Sequence, residues 1–233
     1  MTDKHLSTQF DSELGDVSSR VLEIGGLVEA QLSDAVNALI NGSSAAADRA
    51  MATGARVNSL EIEIDSEISS IIARRQPAAR DLRLLIAISK TTANLERVGD
   101  EAEKIARMMK TIIASGQGNR VPTAELRVAA DLAAGLLRKS LDGFARLDTA
   151  LAVDILKEDD LIDVEFNGFV RKLITYMMED PRKISYSLDL LFVAKALERI
   201  GDHAKNIAEF TIYIVKGADV RHTSMDEVES AVK

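Results

Sequence analysis

A twelve-residue segment, Leu95-Glu-Arg-Val-Gly-Asp-Glu-Ala-Glu-Lys-Ile-Ala106, returns as Leu197-Glu-Arg-Ile-Gly-Asp-His-Ala-Lys-Asn-Ile-Ala208. Eight of the twelve positions are identical, and Val98 changes only to Ile200. The offset, from residue 95 to residue 197, is 102 residues. A period that long means duplication of a whole domain, not a solenoid of small units. Whatever this chain folds into must therefore be built twice.

The punctuation between the copies tells what each half contains. Asn41-Gly-Ser-Ser44 reads as a turn with a serine cap, and Gln76-Pro77 as a stop followed by a first helical turn. Gly116-Gln-Gly-Asn119 with Pro122 is the strongest linker signal, after which Thr123 is placed to cap a new helix. Asp148 is a further candidate cap, Asp180-Pro181 repeats the Gln76-Pro77 pattern, and Gly217 is the last stop. Six helices follow, over roughly 7–41, 44–75, 78–115, 123–147, 149–179 and 182–216. At 1.5 Å per residue the longer ones are rods of about 45 Å. Alternating strand patterns are absent, and short connections lay such helices antiparallel as bundles. The expected fold class is all-α: two pseudo-symmetric three-helix bundles over 1–118 and 119–217, with a polar tail over 218–233.

Composition narrows the function. The 233 residues carry 29 Lys+Arg against 37 Asp+Glu, a formal net charge of −8, which opposes nonspecific nucleic-acid binding. The absence of cysteine removes disulfides, thiolate metal sites and a cysteine nucleophile. No apolar run approaches the roughly 20 residues a membrane span needs, and the first residues are polar rather than a signal core. A cytoplasmic protein is expected, reaching membranes only through partners.

The chemistry lies in carboxylates placed against the apolar stripes. Glu96 and Asp100 are four residues apart, as are Glu198 and Asp202. The preceding helix of each half carries the same spacing, in Glu61 with Asp65 and in Asp159 with Asp163. Residues at i and i+4 share a helix face, and like charges there repel by a few tenths of a kcal/mol. Ile64, Ile68 and Ile72 fall on the face of Glu61 and Asp65; Phe166, Val170 and Leu173 fall on that of Asp159 and Asp163. Leu82 and Leu85, and Leu188 and Leu191, run into the faces of Glu96 and Glu198. Half-buried acids must protonate or meet a cation. Gly99 and Gly201, mid-helix where glycine costs about 1 kcal/mol, let a neighbouring helix or an ion come close.

Two readings of the eight acids stay open. In one, Arg97, Arg199, Lys104 or another basic side chain satisfies them by ordinary ion pairing. In the other, the duplicated acids on facing helices hold a hard or borderline cation. Ferritin-like di-iron sites are excluded for lack of Glu-x-x-His. Of the three histidines, His5 and His222 lie near the ends and His203 reads as a surface residue, Glu101 standing at its repeat counterpart. No nucleophile, oxyanion element or phosphate-cradling glycine loop accompanies the carboxylates. A carboxylate-bridged metalloenzyme and a purely structural bundle are two function classes that the residues leave open.

The doubled Leu-Glu-Arg-Val/Ile-Gly-Asp motif, Ala73-Arg-Arg-Gln-Pro-Ala-Ala-Arg-Asp-Leu-Arg83 and Tyr176-Met-Met-Glu-Asp-Pro181 resemble the PhoU family of bacterial phosphate-transport accessory proteins. Gly25-Gly-Leu-Val-Glu-Ala-Gln-Leu-Ser-Asp-Ala35 and Val215-Lys-Gly-Ala-Asp-Val-Arg-His222 fit as well. The resemblance implies paired three-helix bundles that bind metal clusters through Glu/Asp-x-x-x-Asp motifs. These map onto Glu61, Asp65, Glu96, Asp100, Asp159, Asp163, Glu198 and Asp202. Iron and zinc, or manganese or magnesium, are the metals it implies. It further implies a non-enzymatic, homodimeric adaptor between the transporter ATPase PstB and the sensor kinase PhoR. Such an adaptor keeps the phosphate regulon repressed and uptake restrained when phosphate is plentiful.

Overall fold

The computed structural model describes residues 8–116 and 124–233, and every long element in it is a helix. In chain order these are α1 (Thr8–Asn41), α2 (Ser44–Arg75), α3 (Ala79–Ala114), α4 (Ala124–Arg146), α5 (Thr149–Glu158), α6 (Asp160–Glu179), α7 (Ile184–Lys216) and α8 (Met225–Val232), with a 3-10 turn over Pro181–Lys183 before α7. The first three pack on one another; α4, α5 and α6 pack around α7. The most extensive helix pair, however, is α3 with α7, so the two copies of the motif lie against each other at the seam between the halves. No helix among the described residues is long and apolar enough to cross a membrane.

The repeat owes its apolar positions to this packing. Leu95, Val98, Ala102, Ile105 and Ala106 are buried on α3, and Leu197, Ile200, Ala204, Ile207 and Ala208 on α7. Each fully buried Leu or Ile contributes about 1.5–3 kcal/mol of transfer free energy. Gly99 and Gly201 serve helix approach. A Cβ on Gly99 would stand 3.1 Å from Oε1 of buried Gln31, whose amide nitrogen donates to the carbonyls of Ala50 (3.0 Å) and Gly99 (3.1 Å), tying α1, α2 and α3 together. A Cβ on Gly201 would stand 2.6 Å from Cδ1 of Ile162, which is 1% exposed.

The expected caps form. Ser43 accepts from the Ala46 amide, and Asp148 from those of Ala150 and Leu151. Gln76 ends α2 and Gly217 ends α7, both in left-handed conformation, at φ 49° and 74°. The expected boundary after Gly116, with Pro122 and the Thr123 cap, lies outside the described residues.

Three expectations are corrected. The fifth segment is two helices, because at Asp159 the chain tightens: the Ile162 amide bonds the Asp159 carbonyl at 3.0 Å, an i to i+3 contact. The run Glu158-Asp159-Asp160 favours this new start, since acids stabilise a helix N-terminus. The tail is not wholly irregular either. Ser224 and Glu227 form a reciprocal capping box that opens α8, and Val228 buries the helix against the second half. Leu188, placed by its phase in an apolar stripe, is 42% exposed on the outer face of α7.

Candidate functional site: two carboxylate clusters

In the first half, α2 presents Glu61 and Asp65 towards Glu96 and Asp100 of α3. Burial is the main cause that raises the Glu61 carboxyl above the ordinary carboxylate range, with Asp65 and Asp100 adding to it and Arg97 opposing. Glu96 is raised likewise, first by burial, then by Asp100 and Glu61. Acids that perturb one another in this way share one electrostatic site although they come from two helices. Cations are scarce in it: Arg97, largely exposed, stands 3.9 Å from Glu96. Asp65 accepts from the Ser89 hydroxyl at 2.7 Å.

The second half repeats the arrangement with different counter-charges. Asp159 is buried at the α5–α6 junction; Asp163 follows on α6, and Glu198 and Asp202 lie on α7. Asp163 is raised by burial and then by Glu198 and Asp159. Asp202 occupies an exposed position, yet desolvation by its surroundings, with Glu198 and Asp159 beside it, pushes its carboxyl up to about 6 against the opposing pull of Lys195. Two lysines enter this cluster. Lys195 Nζ donates to Glu198 Oε1 at 2.5 Å while standing 5.4 Å from the Phe166 ring centre, and Lys205 Nζ donates to Asp159 Oδ2 at 2.8 Å.

The structure thus brings the eight sequence-derived acids together as two groups of four. The donors are carboxylate oxygens throughout, the set that suits hard cations, and Oε2 of Glu198 is buried without a hydrogen-bond partner. Among the described residues no three acidic or histidine side chains converge on one point as a ready-made metal cage. In donor type the residues suit a hard cation; in position they do not converge on one point. Arg199 and Lys104, considered as partners for these acids, serve another group. Both pair with buried Glu101, at 2.7 Å and 3.4 Å, and the Arg199 contact crosses the α3–α7 seam.

His203 is not a surface residue. Its ring is partly buried at the same seam, where Nδ1 lies 2.9 Å from Asn94 Oδ1. That oxygen also accepts from Asn206 at 3.0 Å, and the Asn94 amide nitrogen donates to the Lys90 carbonyl at 2.8 Å. Asn94 therefore offers an acceptor, and His203 carries its proton on Nδ1. Burial first, then Arg199 and Arg97, lower the imidazole to about 4, so it is neutral at physiological pH. Its repeat equivalence to Glu101 supports the surface reading, and the structure reverses it: Glu101 is itself a buried, ion-paired acid at the same seam.

Fold and site together define a class: a duplicated helical-bundle protein with a carboxylate cluster between the second and third helical layers of each half. The PhoU domain profile matches the chain twice, over residues 21–109 and 126–211. A PhoU homologue from Burkholderia sp., a phosphate-specific transport system accessory protein, is 53% identical over 229 residues, covering 98% of this chain and 97% of the relative. The corresponding PhoU accessory protein of Escherichia coli K12 is 45% identical over 226 residues, covering 97% and 93%. The crystal structure of PhoU from Pseudomonas aeruginosa superposes with a TM-score of 0.87 at 46% identity, covering 90% of this chain and all (100%) of that one. The phosphate transport system regulatory protein PhoU from Streptococcus pneumoniae gives 0.83 at 26% identity, covering 91% and 99%. The chain belongs to the PhoU family.

Proposed function

We propose that this chain restrains phosphate uptake and keeps the phosphate-starvation genes repressed when phosphate is plentiful. It does so as a cytoplasmic, homodimeric adaptor between the transporter ATPase PstB and the sensor kinase PhoR, without catalysing a reaction itself. The observation that carries this reading is the match to PhoU accessory proteins along essentially the whole chain, in both halves. The absence of a nucleotide-binding glycine loop from the sequence agrees with an adaptor. So does the net charge of −8, which leaves control of transcription to a protein partner instead of DNA contact. Long helices supply extended docking faces, and docking biases a two-state kinase–transporter assembly towards its repressed state.

The carboxylate clusters are part of this reading. Glu61, Asp65, Glu96 and Asp100, and Asp159, Asp163, Glu198 and Asp202, would hold iron, zinc, manganese or magnesium. A bound cation there neutralises acids that otherwise repel, tying α2 to α3 and α6 to α7. The test is purification of the tagged protein from membranes of phosphate-replete cells, with metal analysis of the same sample. Recovery of the transporter ATPase and the kinase supports the adaptor. Recovery of neither, with the protein folded and abundant, overturns it.

A further inference from the structure

Seven of the ten large apolar side chains left exposed among the described residues sit on α6 or α7. Five of them run back from the turn that joins these helices, at i, i+4 spacing: Ile174 and Met178 on α6, and Ile184, Leu188 and Phe192 on α7. At roughly 200 Å² for a whole large apolar side chain, their exposed fractions, from 41% to 80%, leave on the order of 500 Å² bare. That is the upper end of what a monomer shows to water. The first half differs at the matching positions. There Leu82 and Ile86 replace Ile184 and Leu188 and are half-buried, and Lys90 replaces Phe192 and stands over the Phe210 ring at 5.5 Å.

The two edges of this apolar face carry opposite charges at one level. Lys195 over the Phe166 ring at 5.4 Å and Lys183 over the Tyr176 ring at 5.5 Å set the register of the antiparallel pair. Midway between these contacts, Arg171 of α6 stands level with Asp189 of α7. By helical phase Arg171 lies on the edge away from α7, and Asp189 on the edge away from α6. Neither makes an ion pair among the described residues, and desolvation raises the half-buried Asp189 carboxyl with no cation opposing it. We propose that a second copy of this chain docks on the α6–α7 face, about a two-fold axis running along the hairpin, so that Arg171 of each copy pairs with Asp189 of the other. This names the interface of the homodimer in the functional reading above, and rests on that reading. Such a rotation exchanges the two edges and keeps the level, so one surface meets itself and forms the ion pair twice. The apolar row with its polar rim approaches the area of about 800 Å² that each partner gives to a standard interface.

The experiment is sedimentation of the full-length protein over a concentration series, which gives the dimer dissociation constant. Wild type is compared with L188E, R171E, D189R and the double reversal R171E/D189R, with circular dichroism confirming the fold of each. L188E and each single reversal are expected to weaken the dimer about tenfold or more. The double reversal, which restores opposite charges across the axis, is expected to return to within about threefold of wild type. A dimer that L188E leaves intact, or single reversals that the double variant does not rescue, overturns this interface while leaving the homodimer reading intact. Should D189R fail to fold, L188E and R171E decide: both must weaken the dimer. Wild type that stays monomeric at the highest concentration overturns the homodimer reading and the inference with it.

Discussion

Asp202→Asn should stabilise the metal-free protein at alkaline pH and leave it unchanged in acid. The folded-state carboxyl sits at about 6 against an ordinary 3.8, raised by desolvation and by Glu198 and Asp159. Between those values the folded protein binds a proton that the unfolded chain has released, so stability falls as pH rises through this window and levels off above it. At 1.36 kcal/mol per pH unit the displacement corresponds to at most about 3 kcal/mol. Asp202 is exposed, and solvent screening reduces the recoverable part to about 1 kcal/mol. The assay is urea unfolding of wild type and variant in EDTA at low ionic strength, at pH 4 and pH 8. Taking the difference between the two proteins cancels titrations not coupled to Asp202, such as that of His203, whose lowered value of about 4 has the opposite sign and costs stability as pH falls below 6.5; what is left reports Asp202 together with Glu198, Asp159 and Asp163. An asparagine variant equal to or weaker than wild type at pH 8, or a difference that does not grow with pH, would refute the account of Asp202 as a carboxylate raised by desolvation and by its acidic neighbours.

Gly201→Val should destabilise the protein by about 1–3 kcal/mol, because even the first carbon of the new side chain meets buried Ile162 at 2.6 Å; denaturant midpoints measure it. Gly135→Ala, where nothing lies within 4 Å, should instead stabilise by up to about 1 kcal/mol in the same assay. Ser224→Ala removes the capping box of α8 and should cost about 1 kcal/mol locally, read as faster hydrogen exchange over 225–232 with the α3–α7 seam unaffected.

What was legible in the sequence is what local periodicity and duplication encode. Leu95 and Leu197, Val98 and Ile200, and the glycines beside them announce a helix built twice and packed on one face. Serine and aspartate caps at 43 and 148 mark helix starts because their chemistry is local. The four acids of each half are legible because i, i+4 spacing fixes a face and the repeat supplies the matching pair. The break at Asp159 is hidden because a single tightened turn leaves the apolar pattern of 149–179 unchanged. The Ser224-x-x-Glu227 signal of α8 was present, masked by the polarity around it. Lys195 and Lys205 escaped notice because partner choice for a long, flexible cation depends on what stands across the interface. The same cause sent Arg199 over the seam to Glu101 instead of to the acids of its own helix, and it buried His203 there.

The central claim is regulatory, and a deletion strain carrying a reporter for a phosphate-starvation promoter tests it most directly. Grown with excess phosphate, with sensor kinase and transporter intact, the strain should express the reporter fully and fall silent again when the wild-type gene is returned. A variant with all eight cluster acids neutralised, in the same strain, separates a signalling need for the clusters from a purely architectural one. A reporter that stays silent in the deletion strain under excess phosphate would contradict the account.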